Sequence, residues 1–252
     1  MLLIASGELE IVTDSTLERQ GWREILARIA CDCAGGGLDL TAALRVSSYN
    51  EAVADPRLCL PDFGRPASLA VVIGNTRRLW RPLLARLAED QHLLQDPNPI
   101  ETHTMRVVGA AVARLANAHE VRWSHTVGAK MVAMQRLAED AGLAYLSPAK
   151  LSIHPRYGPW IALRAAVVVD VDGPPPSPPM AAPCDACEFA CSRRFGEVIA
   201  MPPGERNWRQ WLSLRDSCPL GLEYRYSEDQ IEYHYTKDAA ILARAVARRL
   251  IK

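Results

Sequence analysis

The sequence predicts an α/β fold, and three observations carry the prediction. Residues 69–73 form a short continuous apolar run (Leu-Ala-Val-Val-Ile) with the length and β-branched content of a buried strand. Segments with apolar residues at three- and four-residue intervals alternate with strand-like runs, which is the order that covers a sheet with helices. At 252 residues, 49% hydrophobic and 23% charged, the chain is long enough for one large domain or a domain with a small appendage.

The elements follow in order. Residues 17–29 carry helical apolar spacing and run toward the flexible turn Gly35, Gly36, Gly37. The strand at 69–73 leads through Gly74 into a helix start, with Asn75 or Thr76 as cap and Leu79, Trp80, Leu83, Leu84 and Leu87 on the inner face. A second helix is expected over 100–118 with Met105, Val108, Val112 and Leu115 inward, then a short strand over 120–123. A third helix is expected over 127–141, ended by Gly142. Strands at 152–153 and 161–171 flank a turn over 154–160, and their closeness suggests a hairpin and hence a mixed sheet. A domain over residues 1–172 is therefore expected. Five prolines within residues 174–179 make the connection 173–183 stiff and extended. Residues 184–252 form a tail closed by an amphipathic helix over 238–250.

Composition excludes several partners. Twenty-nine acidic side chains balance 29 basic ones, so no field draws nucleic acid or a membrane surface. The apolar start is only five residues long, and no segment approaches the roughly 18 apolar residues of a membrane span. The expected compartment is the cytoplasm, where the seven cysteines would be reduced, metal-bound or redox-active rather than paired in disulfides.

The stretch 151–164 is the densest in chemistry. It holds one imidazole (His154), two guanidiniums (Arg156, Arg164), two rings (Tyr157, Trp160) and a glycine suited to close approach (Gly158). Ser152, Ile153 and Pro155 complete the stretch. Aromatic and apolar walls with scattered hydrogen-bonding groups suit a large flat ligand. In the tail, Cys184, Cys187 and Cys191 stand at short spacing, followed by Cys218-Pro219. Four thiolates at such spacing suit one [4Fe–4S] cluster or a tetrahedral zinc ion, and equally a set of reduced thiols with no ligand. Trp208 and Trp211 would stack on a ligand or cover the tail's own small core. Glu228, Tyr233, His234 and Tyr235 resemble an acid–base set, whereas the same segment reads as a helix start capped by Ser227.

Several of these motifs, in this order, resemble the cobalamin-processing proteins of the CblC (MMACHC) type, the cyanocobalamin decyanases and alkylcobalamin dealkylases. The resemblance runs through Val46-Ser-Ser-Tyr-Asn50, Asp96-Pro97, His125 with Gly128 and Gln135-Arg136, Ile153-His-Pro-Arg-Tyr-Gly158 to Arg164, Trp208-Arg-Gln-Trp211 and Arg225-Tyr-Ser-Glu-Asp-Gln230. It implies a flavin-nitroreductase-like fold that binds cobalamin without its lower base. The upper ligand is then removed by glutathione attack or by reduction through flavin or a reductase. His125 would lie over the reactive face. Gln135 and the 152–160 segment would contact the corrin, and Arg164 and Arg215 would hold the glutathione carboxylates. A third family arginine aligns with Ile241, and the family's tyrosines after His125 are replaced by Lys130, Met131, Val132 and Met134. The cysteine tail is similar to the ferredoxin-like part of epoxyqueuosine reductases. Two other functions remain open on these residues: a non-catalytic carrier that hands cobalamin to an acceptor protein, and a flavin or iron–sulfur redox enzyme without cobalamin.

Overall fold

Gly21 precedes the first helix, α1 (Trp22–Ala34), whose buried face is Ile25, Ile29 and Cys33. The computed structural model describes residues 21–184 and 190–250. Positions 17–20 of the first expected helix therefore lie outside the described residues, and α1 extends five residues beyond its expected end. The chain continues through β1 (Leu40–Arg45), α2 (Val46–Ala52), β2 (Ser68–Asn75), α3 (Trp80–Glu89), α4 (Gln91–Leu94), α5 (Pro99–Val112), β3 (His119–Trp123) and α6 (Met134–Asp140). Then come β4 (Tyr145–Leu146), β5 (Ser152–Ile153), β6 (Ala162–Asp172), α7 (Ala190–Ala200), α8 (Trp208–Asp216), α9 (Glu228–Thr236) and α10 (Ala239–Leu250).

The main sheet has the order β1-β2-β6-β3, with every pairing antiparallel. β2 is buried along its whole length, as its unbroken apolar run requires of a central strand covered on both faces. Alternate residues separate the two faces. Leu69, Val71 and Ile73 meet α1, α3, α5 and the tail residues Tyr233, Ile241 and Leu242. Ala70 and Val72 meet Tyr49, Leu137 and Ala138. The closing helices are thus part of the main core, which buries them more completely than a separate small core would.

Local signals hold in several places. Thr76 accepts the Arg78 amide and caps the turn that enters α3, whose Leu83, Leu84 and Leu87 are buried. Ser227 caps α9 by accepting the Gln230 amide, as its position before Glu228 and Asp229 predicts. Asn207 and Gln210 form a capping box on α8. Other expectations require correction. The second helix ends at Val112, and Met105 is 43% exposed, because the face that meets α1 and the sheet is that of Val108, Ala111 and Val112. The third helix starts only at Met134, after a turn over Gly128–Lys130, and Val127 is 83% exposed. The expected hairpin is absent: β5 pairs with β4, whereas β6 pairs with β2 and β3. Periodicity could not reveal that β1, which leads directly into the Tyr49 helix α2, would border β2.

Candidate functional site

The turn between β5 and β6 is held by its own histidine. His154 Nδ1 accepts the amides of Arg156 at 3.0 Å and Tyr157 at 3.3 Å, while the His154 and Gly158 backbones exchange hydrogen bonds. Burial and the neighbouring Arg156 lower the His154 pKa, so the ring stays neutral and keeps the lone pair that organises the turn. Gly158 has φ +54, and a Cβ there would stand 1.9 Å from the Leu220 carbonyl oxygen. Gly221, φ +69, faces it, with a hypothetical Cβ 2.3 Å from the Tyr157 carbonyl carbon. The two glycines let the turn and the segment after α8 pack backbone against backbone.

This packing changes the meaning of the stretch that sequence singled out. Trp160 is fully buried in a cluster with Leu212, Tyr226 and Ile231, so it offers no face to a ligand. Arg215 stacks over Trp160 at 4.7 Å and Tyr226 at 5.1 Å and donates from Nε to the Pro159 carbonyl at 3.1 Å. Arg156 donates to the Tyr224 hydroxyl at 2.9 Å, and Tyr157 meets Tyr224 edge-on at 4.7 Å. Ile153 is fully buried against Cys184 and Cys218. Most of the aromatic and cationic surface expected to hold a flat ligand instead docks the tail. A sequence shows the chemistry of these groups but not which partner meets them first. Pro155 and Arg156 remain exposed, and Tyr157 is partly buried.

A cleft of about 370 Å³ remains beside this turn, bounded by Met134 and Gln135 of α6, Lys150 to Ser152, Pro159, Ile161 and Leu163, with Arg215 and Tyr235 from the tail. It brings together three of the expected site residues, Gln135, Ser152 and Arg215. Gln135 Nε2 donates to the Lys150 carbonyl at 2.7 Å, and Ser152 Oγ is buried with no partner among the described residues. A larger hollow of about 530 Å³ lies over α1, α3 and α5 and holds none of the expected residues. The smaller cleft is the candidate site because polar groups of several elements converge on it.

Arg164 stands at a β-bulge. Ile73 pairs with Ala165 and Gly74 with Leu163, so Arg164 is the extra residue of β6 and its side chain is re-aimed. Its Nε donates to Asn75 Oδ1 at 2.6 Å, while Nη2 is buried with no partner among the described residues. Burial pulls the guanidinium pKa below its ordinary value, opposed by Tyr226 and Glu101. Around it, burial raises the Tyr226 hydroxyl pKa, and burial with Arg164, Lys237 and Arg215 holds His234 well below its ordinary value. Both therefore stay neutral at pH 7, leaving two guanidiniums with no facing carboxylate in direct contact: an anion-receptive interior. Gln230 Nε2, His234 Nε2 and Trp160 Nε1 are further buried atoms with no partner among the described residues. Gln230 and His234, one turn apart on α9, were named in the sequence but not among the expected cobalamin or glutathione contacts. Two polar residues spaced by four on a helix face that also carries Ile231 were the available signal.

His125 is exposed and stacks on Trp123 at 6.2 Å, just beyond β3. It lies on a turn rather than at the helix start expected from its spacing. The Ser124 amide donates to the Arg164 carbonyl at 2.9 Å, which ties that turn to the bulge. Ile241, at the third family arginine position, is buried in the core. Arg244 is occupied by Asp229 at 3.5 Å and Glu232 at 3.7 Å. Glu228 pairs with Arg225 and Tyr233 is buried, so the helix-start reading of that segment holds and the acid–base set does not assemble. Cys184, Cys191 and Cys218 are buried, but among the described residues no group of three or more His, Cys, Asp or Glu is placed to hold a metal ion. Cys191 lies on the buried side of α7, while Cys184 and Cys218 pack on Ile153. Cys187 lies outside the described residues. Of the four cysteines expected to share one centre, Cys184 and Cys218 are brought together on Ile153 and Cys191 is buried on α7.

The architecture belongs to a class of antiparallel α/β folds shared by vitamin B12-handling proteins and epoxyqueuosine reductases, as the expected nitroreductase-like plan implied. The chain resembles a solved C. elegans B12-trafficking protein CblC, a human MMACHC homologue, with TM-score 0.64 and 18% identity over 87% of this chain and 94% of that one. It also resembles epoxyqueuosine reductase from Bacillus subtilis, with TM-score 0.51 and 10% identity over 90% of this chain and 81% of that one. At these identities the likeness is one of fold. No family model matches the chain, and no curated protein matches it. Among the described residues no helix is long and apolar enough to cross a membrane.

Proposed function

We propose that this protein takes up cobalamin as its substrate and removes or exchanges the upper axial ligand. The observation that carries the reading is the conjunction of the CblC-like fold with a cleft on which Gln135, Ser152 and Arg215 converge, and with Arg164, next in sequence to its lining residue Leu163, buried with Nη2 unpartnered among the described residues. The cleft is smaller than a whole corrinoid, so the ring would lie across its mouth with only an edge inside. Ser152 Oγ and the Gln135 amide would meet amide groups at that edge. Exposed His125, tied through Ser124 to the Arg164 bulge, would stand toward the reactive face. Arg164 Nη2 would receive the carboxylate of a thiol donor, since a charge-assisted bond there relieves a buried, unpaired guanidinium.

The same geometry argues that thiol transfer is weak. Arg215 commits its Nε and Nη2 to the Pro159 and Ile161 carbonyls, and the third arginine position holds buried Ile241. At most two carboxylate contacts remain where the family pattern calls for three. Reduction by an external donor such as reduced flavin or a reductase is therefore the favoured route. A carrier that presents cobalamin to an acceptor protein would bind equally well but leave the ligand in place.

Mixing the protein with methylcobalamin should move the visible band from the base-on to the base-off position. An unchanged spectrum with protein in large excess removes cobalamin from the account. Spectral change without loss of a cyano group under reduced flavin makes the protein a carrier.

A further inference from the structure

The hollow over α1, α3 and α5 lies across the sheet from α6 and takes no part in the proposed reaction. Its floor is apolar, from Val107, Ala110 and Ala111, and its rim carries Arg86, Arg106 and Arg114. A second lobe shares Gly36, Arg86 and His103 with it and adds Arg81 and Arg249. The two lobes together present five arginines against the carboxylates of Asp32 and Glu89.

Internal pairing consumes only part of this charge. Arg114 meets Asp32 at 2.9 Å, and Arg86 meets Asp90 at 3.3 Å and Glu89 at 3.5 Å. Arg106, 60% exposed, reaches the same Asp90 only at 3.9 Å. At the back stands His103, 5% exposed. Its Nε2 lies 2.9 Å from the Gly36 carbonyl, which can only accept, so Nε2 carries the proton and Nδ1 is a lone-pair acceptor. His103 Nδ1 is buried with no partner among the described residues, as are Arg86 Nε and Asp32 Oδ2. Burial, then Arg106 and Arg86, lower the His103 pKa, which keeps that lone pair available. A buried acceptor left unpaired costs about 1–3 kcal/mol and calls for a partner.

We infer that this hollow binds a phosphomonoester with an apolar body, its head on Arg86, Arg106 and His103 and its body on Val107, Ala110 and Ala111. A carboxylate would satisfy the guanidiniums but brings no proton for His103. A singly protonated phosphomonoester, whose second pKa lies near 6, supplies both accepting oxygens and a donating hydroxyl. The inference is independent of cobalamin.

The test is calorimetric titration of the full chain with phenyl phosphate, benzoate, phenol and inorganic phosphate. Phenyl phosphate should bind at least about tenfold more tightly than the other three, and Arg106→Gln should weaken it by about tenfold, the loss of one charge-assisted contact. His103→Asn should erase the preference over benzoate. Where that variant fails to fold, Arg106→Gln decides alone, since its side chain stands outside the core. Equal binding of benzoate, binding unchanged in Arg106→Gln, or no binding of phenyl phosphate at millimolar concentration overturns the inference.

Discussion

Replacing Gly158 by alanine tests whether the turn and tail meet as closely as the structure shows. At φ +54 an L side chain costs about 1–2 kcal/mol. The new methyl would also lie 1.9 Å from the Leu220 carbonyl oxygen and 2.7 Å from its carbon, so backbone rather than a pliable side chain must move. Overpacking of that kind costs about 1–3 kcal/mol, and the reduced freedom of the unfolded chain returns at most about 1 kcal/mol. The net expectation is a loss of about 2–4 kcal/mol. With a urea slope near 3 kcal/mol/M, the unfolding midpoint falls by about 1 M. Gly221→Ala should cost a similar amount, since its methyl meets Tyr157 from the other side of the same contact. The double variant should cost less than the two single losses together, because the first methyl already separates the backbones. Equilibrium urea unfolding by circular dichroism and tryptophan fluorescence measures all three. A Gly158→Ala loss under about 0.5 kcal/mol, or strict additivity with Gly221→Ala, would refute the backbone contact and the docked position of the tail.

Other expectations follow from the same coordinates. Trp160→Ala should cost about 3–5 kcal/mol by opening the cluster with Leu212, Tyr226 and Ile231, measured by thermal unfolding; a near-neutral result would return Trp160 to the surface. Arg164→Met should leave stability within about 1 kcal/mol of the parent, because the lost Asn75 bond is offset by removal of a buried charge, while any glutathione-dependent demethylation of methylcobalamin disappears. Rapid thiol turnover retained in that variant would show that the anion-receptive interior is not the thiol site. Burial holds His234, His103 and His154 below their ordinary pKa, so the unfolded chain takes up protons first as pH falls. Stability should therefore decline with falling pH from about 6.5 downward, by up to about 1.4 kcal/mol per pH unit per histidine, and His234→Gln should flatten the decline in denaturant titrations at stepped pH.

Local chemistry made much of this protein legible from its residues. The apolar run of β2, the Thr76 and Ser227 caps and the α/β order depend on neighbours within a few positions, and the sequence alone determined them. The His154–Gly158 turn was visible as an unusual concentration of donors and rings, yet its purpose was not. Whether Trp160 and Arg215 face a ligand or each other depends on the segment after α8, about 60 residues along the chain from Trp160, and no local pattern encodes that meeting. The bulge that re-aims Arg164 arises from pairing between β2 and β6, roughly 90 residues apart, so only register exposes it. Cys184 and Cys218 stand 34 residues apart in the chain and come together on Ile153 only through the tertiary fold. Residue types and short-range spacing thus determined the elements and the kinds of chemistry available. The tertiary structure decided which of those groups the protein spends on itself and which, like Arg164 Nη2, have no partner among the described residues, since packing assigns contacts between segments that sequence distance keeps apart.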